Sequence, residues 1–271
     1  MLPKRLHQIV IKKIKQYTIK NKNIHNKTKV RKNMIIINSH DGPARYGKYN
    51  EKTTPILLDY SKIEKIENIA TPYKIQKEIA EEYMEQTLTI AKQEKNKEKI
   101  AVIQGAQYTD LRIKCAKELE EYGYTTLMFA NTDELQRNPE DLLEIVIKTR
   151  ENLKPTTALY FPFATTQIIP ILSYIGIDIF DTSRAIYEAK NNNLMTNTNI
   201  YPQEYNITED IKQENMKQLE FTIKETRENI KNKTLRNLTE QKATTHPELM
   251  TLHRLLDKNY QDYLQKYTQL Y

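Results

Sequence analysis

The sequence predicts an α/β protein built on a parallel sheet, followed by a helical C-terminal extension. Three observations carry this prediction. Between Met34 and Met195, short apolar runs of strand length alternate with amphipathic stretches of helical length, the pattern of βα units. The chain has only five glycines, and they fall at strand ends, in turns or just past helices. From about Asn206 onward the pattern becomes purely helical, polar and laced with Lys and Glu.

Taken in order, Met34–Asn38 reads as a strand entering the segment His40 to Lys48, where two of the glycines sit, and Thr54–Asp59 reads as a second strand. A helix follows Pro72, with apolar positions Ile75, Ile79, Tyr83, Leu88 and Ala91. Ile100–Ile103 is a buried strand ending in the pair Gln104-Gly105. Asp110–Tyr122 is a helix stopped by Gly123, Thr125–Ala130 a strand, and Pro139–Leu153 an amphipathic helix with Pro at its first position. Thr157–Ala164 is a strand, and Thr166–Ile175 a helix closed by Gly176. The strand that follows ends in Asp181 and leads to a helix over Ser183–Lys190. In the extension, Pro247 divides a long helix from a shorter one, whose stripe Leu249, Leu252, Leu255, Leu256 and Tyr260 reads as a packing face.

The most informative segment is Gly176-Ile177-Asp178-Ile179-Phe180-Asp181. It presents a carboxylate at the C-terminal end of a buried strand, where α/β barrels carry catalytic groups. Capping of the next helix is the competing explanation.

Composition narrows the classes. At 38% hydrophobic residues and a mean hydropathy of −0.74, with no run of 18 apolar residues, a membrane-spanning chain is not expected. Cys115 is the single cysteine, which excludes a disulfide framework and a cysteine zinc cluster and points to a reducing cytoplasm. The net charge of +7 is unevenly spread: residues 1–33 hold 11 Lys/Arg and no acid, so the remainder carries a net −4. Two readings of that basic arm stay open. Leu6, Ile9, Val10, Ile14 and Tyr17 fall on one helical face, and such an arm holds a nucleic-acid backbone without sequence preference. Alternatively, the true start is Met34, with residues 1–33 translated from upstream sequence. Lys12, Lys13 and Lys15 interrupt any signal-peptide core.

Three spaced motifs, in order, resemble the tRNA-guanine transglycosylase family, especially its archaeal archaeosine branch. They are Asp41-Gly42-Pro43-Ala44-Arg45-Tyr46-Gly47-Lys48 with Thr54-Pro55, Val102-Ile103-Gln104-Gly105-Ala106-Gln107-Tyr108-Thr109-Asp110-Leu111-Arg112, and Gly176 to Asp181 followed by Leu194-Met195-Thr196. The likeness covers roughly residues 35–200, and the tail from Leu235 to Asp257 looks like the segment following this domain in archaeosine synthase-like paralogues. The resemblance implies a (β/α)8-type TIM barrel over residues 34–205, with residues 206–271 as the helical extension. It also implies exchange of a tRNA base for a modified guanine-type base, without a cofactor. Asp181 matches the nucleophile that attacks ribose C1′, where a carboxylate suits the cationic transition state and the labile ester. Gln104 and Gly105 match the residues that hold the flipped-out base, with Asn68 at the position of the guanine-reading aspartate. Arg45, Lys48, Arg184 and Lys190 are the candidate phosphate contacts.

The chain also departs from the family pattern. The Asp-Ser-Gly-Gly motif has no counterpart unless Asp59-Tyr60-Ser61 is its remnant. Phe129-Ala130-Asn131-Thr132 replaces a glycine-rich strand end, and the Cys-x-Cys-x2-Cys…His zinc site is missing. A full barrel takes about 250 residues, so this one is expected to be incomplete, compacted, or closed by a second transglycosylase-family subunit, identical or different. Three functional readings follow: an active ribosyltransferase, a paralogue that binds tRNA or an active partner without catalysis, and an unrelated α/β protein of small-molecule metabolism. His246 and His253 lack partners at metal spacing and read as packing or surface residues.

Overall fold

The computed structural model describes residues 33–203 and 210–266, so the readings made for residues 1–32 lie outside it. The first structured segment is an antiparallel meander of β1 (Ile35–Asp41), β2 (Ala44–Tyr49) and β3 (Lys52–Thr54). The sequence reading placed one strand and a loop here. Gly42 and Asn50, both at positive φ, instead make two-residue turns that fold the motif back on itself.

Then come β4 (Ile56–Leu58), a single 3-10 turn (Tyr60–Lys62), and α1 (Lys77–Gln93). The buried face of α1 is Ala80, Met84, Thr87, Leu88 and Ala91, a register rotated from the one expected, because the small residues Ala80 and Thr87 allow close approach where Ile79 and Tyr83 do not. The chain continues through β5 (Ala101–Ile103), α2 (Thr109–Glu121), β6 (Thr126–Phe129), α3 (Thr132–Gln136), α4 (Pro139–Glu151), β7 (Ala158–Tyr160), α5 (Ile169–Tyr174), β8 (Ile179–Asp181) and α6 (Ser183–Lys190). The βα alternation and the helix stop at Gly123 stand as expected.

The parallel sheet has the order β4-β8-β7-β6-β5, so the first strand lies beside the last. Beyond β5, Lys65 forms a parallel bridge with Ile100: the Ile66 N–H donates to the Ile100 carbonyl (2.9 Å) and the Ile100 N–H to that of Glu64 (3.0 Å). Laid flat, β4 and this Lys65 segment would stand about 24 Å apart, five spacings of ~4.8 Å. That is roughly the reach of the seven fully extended Cα-to-Cα steps from Leu58 to Lys65. Three of the six residues between them form the 3-10 turn, so the sheet curls.

Its two faces pack differently. Ile56, Val102, Met128, Ala158, Tyr160 and Ile179 gather on the inner face with Ile35 and Tyr49 of the meander. Ile103, Leu127, Phe129, Leu159, Phe161 and Phe180 belong to the larger core shared with the helices. Each buried Val, Ile, Leu, Met or Phe among them contributes about 1.5–3 kcal/mol of transfer free energy.

The C-terminal part holds β9 (Asn193–Met195) and β10 (Ile200–Pro202), an antiparallel hairpin outside the parallel sheet, then α7 (Ile211–Asn232), α8 (Leu235–Ala243), α9 (Pro247–Asn259) and α10 (Gln261–Lys266). Four helices stand where two were expected: Lys233 turns into the left-handed region (φ 60°) and ends α7, and Tyr260, outside the helical region at φ −131°, separates α9 from α10. Leu249, Leu252 and Leu256 are buried, as the stripe predicted. The Asp41 carboxylate accepts the Leu235 N–H (2.9 Å), tying the start of α8 to the first motif. Among the described residues no helix is long and apolar enough to cross a membrane.

Candidate active site

The parallel sheet has two ends, and the motif from Gly176 to Asp181 supplies a buried aspartate to each. Asp178 precedes β8, at the end where the strands begin. Its carboxylate takes two hydrogen bonds from the Arg45 guanidinium, one of them Nε to Oδ1 at 2.8 Å, and the Leu159 N–H at 2.8 Å. Arg45 also donates to the carbonyls of Pro155 and Thr157. At 7% exposure and with these bonds made, Arg45 is a structural brace and not the phosphate contact the sequence suggested. A basic residue within a basic motif could not be distinguished from a ligand-binding one until its partner far along the chain was known.

Asp181 closes β8 at the opposite end. Strand alternation turns Ile179 and Asp181 to the inner face and Phe180 to the outer one. Its carboxylate is 1% exposed and takes four hydrogen bonds, from the Tyr160 hydroxyl, the Ser183 hydroxyl, the Ser183 N–H (2.9 Å) and the Phe163 N–H (3.4 Å). The Ser183 N–H is one of the unpaired donors at the start of α6, so the capping role is real. All four donors are neutral, and no cation pairs with Asp181 among the described residues. Burial and the neighbouring Asp181 charge both push the Tyr160 phenol upward, so it stays a donor. Sequence reasoning missed Tyr160 and Ser183. The usable signal was Tyr160's own place at the end of the neighbouring strand, two residues from inward-facing Ala158.

Gln104 and Asn68 come together, as the sequence suggested. The Gln104 amide Nε2 donates to Asn68 Oδ1 at 3.0 Å, and Gln104 is 1% exposed. The segment carrying Asn68 is held by bonds from Ile69 N–H to Thr87 Oγ1 (3.1 Å) and from Asn131 Nδ2 to the Thr71 carbonyl (2.9 Å). Gln104 Oε1 is buried with no hydrogen-bond partner. An unmet buried acceptor is costly, and a donor arriving with a ligand satisfies it.

Gly105 is required for a reason the sequence did not reveal. It sits at φ +138°, and a Cβ there would meet the backbone N of Arg112 at 2.8 Å. Arg112 is fully buried and ties the ends of two strands together, donating to the carbonyls of Ala106 (2.8 Å), Ile103 (3.2 Å) and Ala130 (3.0 Å). Burial brings its guanidinium down to about 10.

The other predicted residues are scattered. Lys48 is exposed, but it lies on β2 with Arg45, whose bonds reach the beginnings of β7 and β8. Arg184 is only 16% exposed and pairs with Glu188 (2.6 Å) and Asp133 (3.2 Å), so it is not a free phosphate contact. Lys190 is exposed at the end of α6. Asp59 follows Leu58, the register partner of Asp181, which puts a second carboxylate at the adjacent strand end. It takes the Ser61 N–H and hydroxyl (3.1 and 2.7 Å), which hold it below the usual carboxylate range. Cys115 is buried under Gln104, and among the described residues no three His, Cys, Asp or Glu side chains gather to hold a metal ion. The family's zinc group therefore has no fitting donor set here. His253 is buried and meets the Thr239 hydroxyl, and His246 meets the Thr198 carbonyl; both are packing residues.

The sequence profile of the queuine tRNA-ribosyltransferase family matches residues 60–257, about three quarters of the chain. The chain belongs to this family. It is 35% identical over 113 residues to the archaeosine synthase of Methanocaldococcus jannaschii, covering 41% of this chain and 20% of that protein. It is 30% identical over 135 residues to the tRNA-guanine(15) transglycosylase of Thermococcus kodakarensis, 48% of this chain and 23% of that one. The enzyme of the same name from Thermococcus onnurineus is 27% identical over 231 residues, 73% of this chain and 40% of that one. The chain thus spans between a fifth and two fifths of these curated relatives. Asp181, Gln104 and Asn68 all lie within the region that matches the queuine tRNA-ribosyltransferase family.

Proposed function

We propose that this chain is a tRNA-guanine transglycosylase-like ribosyltransferase that exchanges a tRNA base through Asp181. The carrying observation is that Asp181 lies buried at a strand end with four neutral donors and no cation. No cation of the protein is matched to this carboxylate, and a developing positive charge at ribose C1′ is the group it is placed to meet. In the first step an Asp181 oxygen bonds to C1′ as the glycosidic bond breaks and guanine leaves with the electron pair. In the second, the incoming guanine-type base attacks C1′ and displaces the carboxylate. Asp59, held ionised at the neighbouring strand end, is the candidate base for the incoming nucleophile.

The Gln104–Asn68 pair is the candidate reader of the base edge, with Gln104 Oε1 awaiting a donor. The curled sheet, with its first strand beside its last, is read as a compacted (β/α)8-type barrel lacking part of its wall. A second transglycosylase-family subunit is the proposed completion. The archaeosine pathway, a tRNA substrate and a cytoplasmic location belong to the same reading.

The test is a trap: the protein is incubated with tRNA and denatured, and the protein–RNA adduct is compared with that of Asp181→Asn. An adduct lost in the variant supports the reading. A second reading, a paralogue that binds RNA without chemistry, draws on the 1% exposure of Asp181 and the missing Asp-Ser-Gly-Gly motif. Bound RNA with no adduct at any pH would favour it.

A further inference from the structure

Beside Asp181, on the same end of the sheet, lies a groove of about 380 Å³ lined by Tyr60, Pro162, Phe163, Ile186, Tyr187 and Lys190, together with Ser183. Its composition is unusual for an enclosed apolar site. Tyr60 and Tyr187 keep 53% and 51% of their surface in solvent, two of the few large apolar side chains exposed among the described residues. The Phe163 ring is held against Tyr187 edge-on (5.2 Å between centroids, 72°), and the Arg184 guanidinium lies over Phe163 at 4.6 Å. Phe163 itself stands at φ 61°, an uncommon conformation for an aromatic residue, fixed by its N–H bond to Asp181. One charged residue, Lys190, stands on the rim; it makes no ion pair among the described residues, and no carboxylate lines the groove.

We propose that this groove is a stacking site for an unpaired nucleotide of the RNA strand, next to the nucleotide that reacts at Asp181. Exposed tyrosine rings offer π faces to any base, and a lone lysine at the rim complements one phosphate. Aromatic faces with one cation and no acid match a nucleotide better than an apolar peptide, which needs no cation. The proposal extends the ribosyltransferase reading by naming where the flanking strand lies. Of the four basic residues the sequence suggested, Lys190 alone is exposed and lines this groove.

The experiment measures binding of the full chain to a short unstructured oligoribonucleotide carrying 2-aminopurine, whose fluorescence is quenched on stacking, and to a tRNA transcript. Tyr187→Ala should weaken binding about tenfold and abolish the quenching, whereas Tyr187→Phe should stay within about twofold. Lys190→Gln should lower the slope of log affinity against log salt by about one. Tyr201→Ala is the control, an equally exposed tyrosine (52%) that does not line the groove, and it should bind as the parent does. Unchanged affinity and quenching in Tyr187→Ala, an equal loss in Tyr201→Ala, or no RNA binding by the parent protein would each overturn the proposal. The adduct assay keeps the two readings apart. An adduct with Tyr187→Ala unaffected leaves the base exchange standing and removes the groove. Tyr187-dependent quenching without an adduct does the reverse.

Discussion

Asp178 and Asp181 stand three residues apart, are equally buried at 1% exposure, and sit at opposite ends of one strand. Asp178 is neutralised by Arg45, while Asp181 is held only by hydroxyls and backbone N–H groups. The difference extends to the regions around them. At the end where the strands begin, the meander closes the sheet: Ile35 N–H meets the Thr156 carbonyl at 3.2 Å, and Tyr49 hydroxyl meets Thr126 at 2.9 Å. At the end where the strands finish, Gln104 Oε1 lacks a partner, Asp59 is exposed, and two tyrosines face solvent. One end spends its polar groups on the fold, and the other leaves one buried acceptor unmet and a carboxylate and two tyrosines open to solvent. In α/β proteins such an asymmetry is what a functional end is expected to produce.

The largest effect expected is at the closed end. Arg45→Met leaves Asp178 charged, buried and unpaired, and should cost about 3–5 kcal/mol in urea denaturation. A loss under about 1 kcal/mol would break the comparison, since the pair would then be no brace. Next is Gly105→Ala, which forces an alanine to φ +138° against the Arg112 backbone. It should lower stability by about 1–3 kcal/mol; a variant that folds normally but loses base exchange would return Gly105 to the role of close approach to the base. Tyr160→Phe removes one donor from Asp181 and should cost about 0.5–1.5 kcal/mol while the adduct still forms. Loss of the adduct with unchanged stability would raise Tyr160 from a positioning residue to a participant.

The smallest effect concerns Cys115, whose thiol burial pushes up to about 12. A folded pKa raised above the unfolded one gives stability that is complete below pH 9 and lost as pH climbs from there toward 12. Alkylation near pH 9 should therefore be slow in the native protein and fast in urea. Equal rates in both would mean that the floor beneath Gln104 is open.

Much of the fold was legible because its signals are local. Gly123 past a helix, Pro139 at the start of another, and apolar runs of strand length each act within a few residues. The site was legible to the extent that it follows strand ends: Asp181, and the meeting of Gln104 with Asn68. What was hidden depended on partners distant in sequence. Arg45 resembled a phosphate ligand until Asp178 was seen against it, and Gly105 resembled a base-binding residue until Arg112 was seen behind it. The break after α7 was invisible because Lys233 enters the left-handed region with no glycine or proline to mark it. The bridge between Lys65 and Ile100 at the edge of the sheet was likewise unreadable, since it leaves no pattern in the chain.

We infer that Asp178 serves the fold and Asp181 the chemistry. Asp178→Asn set beside Asp181→Asn separates the two roles, with the urea midpoint and adduct formation with tRNA measured for each. Asp178→Asn should unfold at much lower urea, with adduct formation falling only as the folded fraction falls. Asp181→Asn should lower the midpoint clearly less than Asp178→Asn does and lose the adduct by roughly three orders of magnitude or more. An Asp181→Asn protein that still forms the adduct, or that unfolds as readily as Asp178→Asn, would contradict the account.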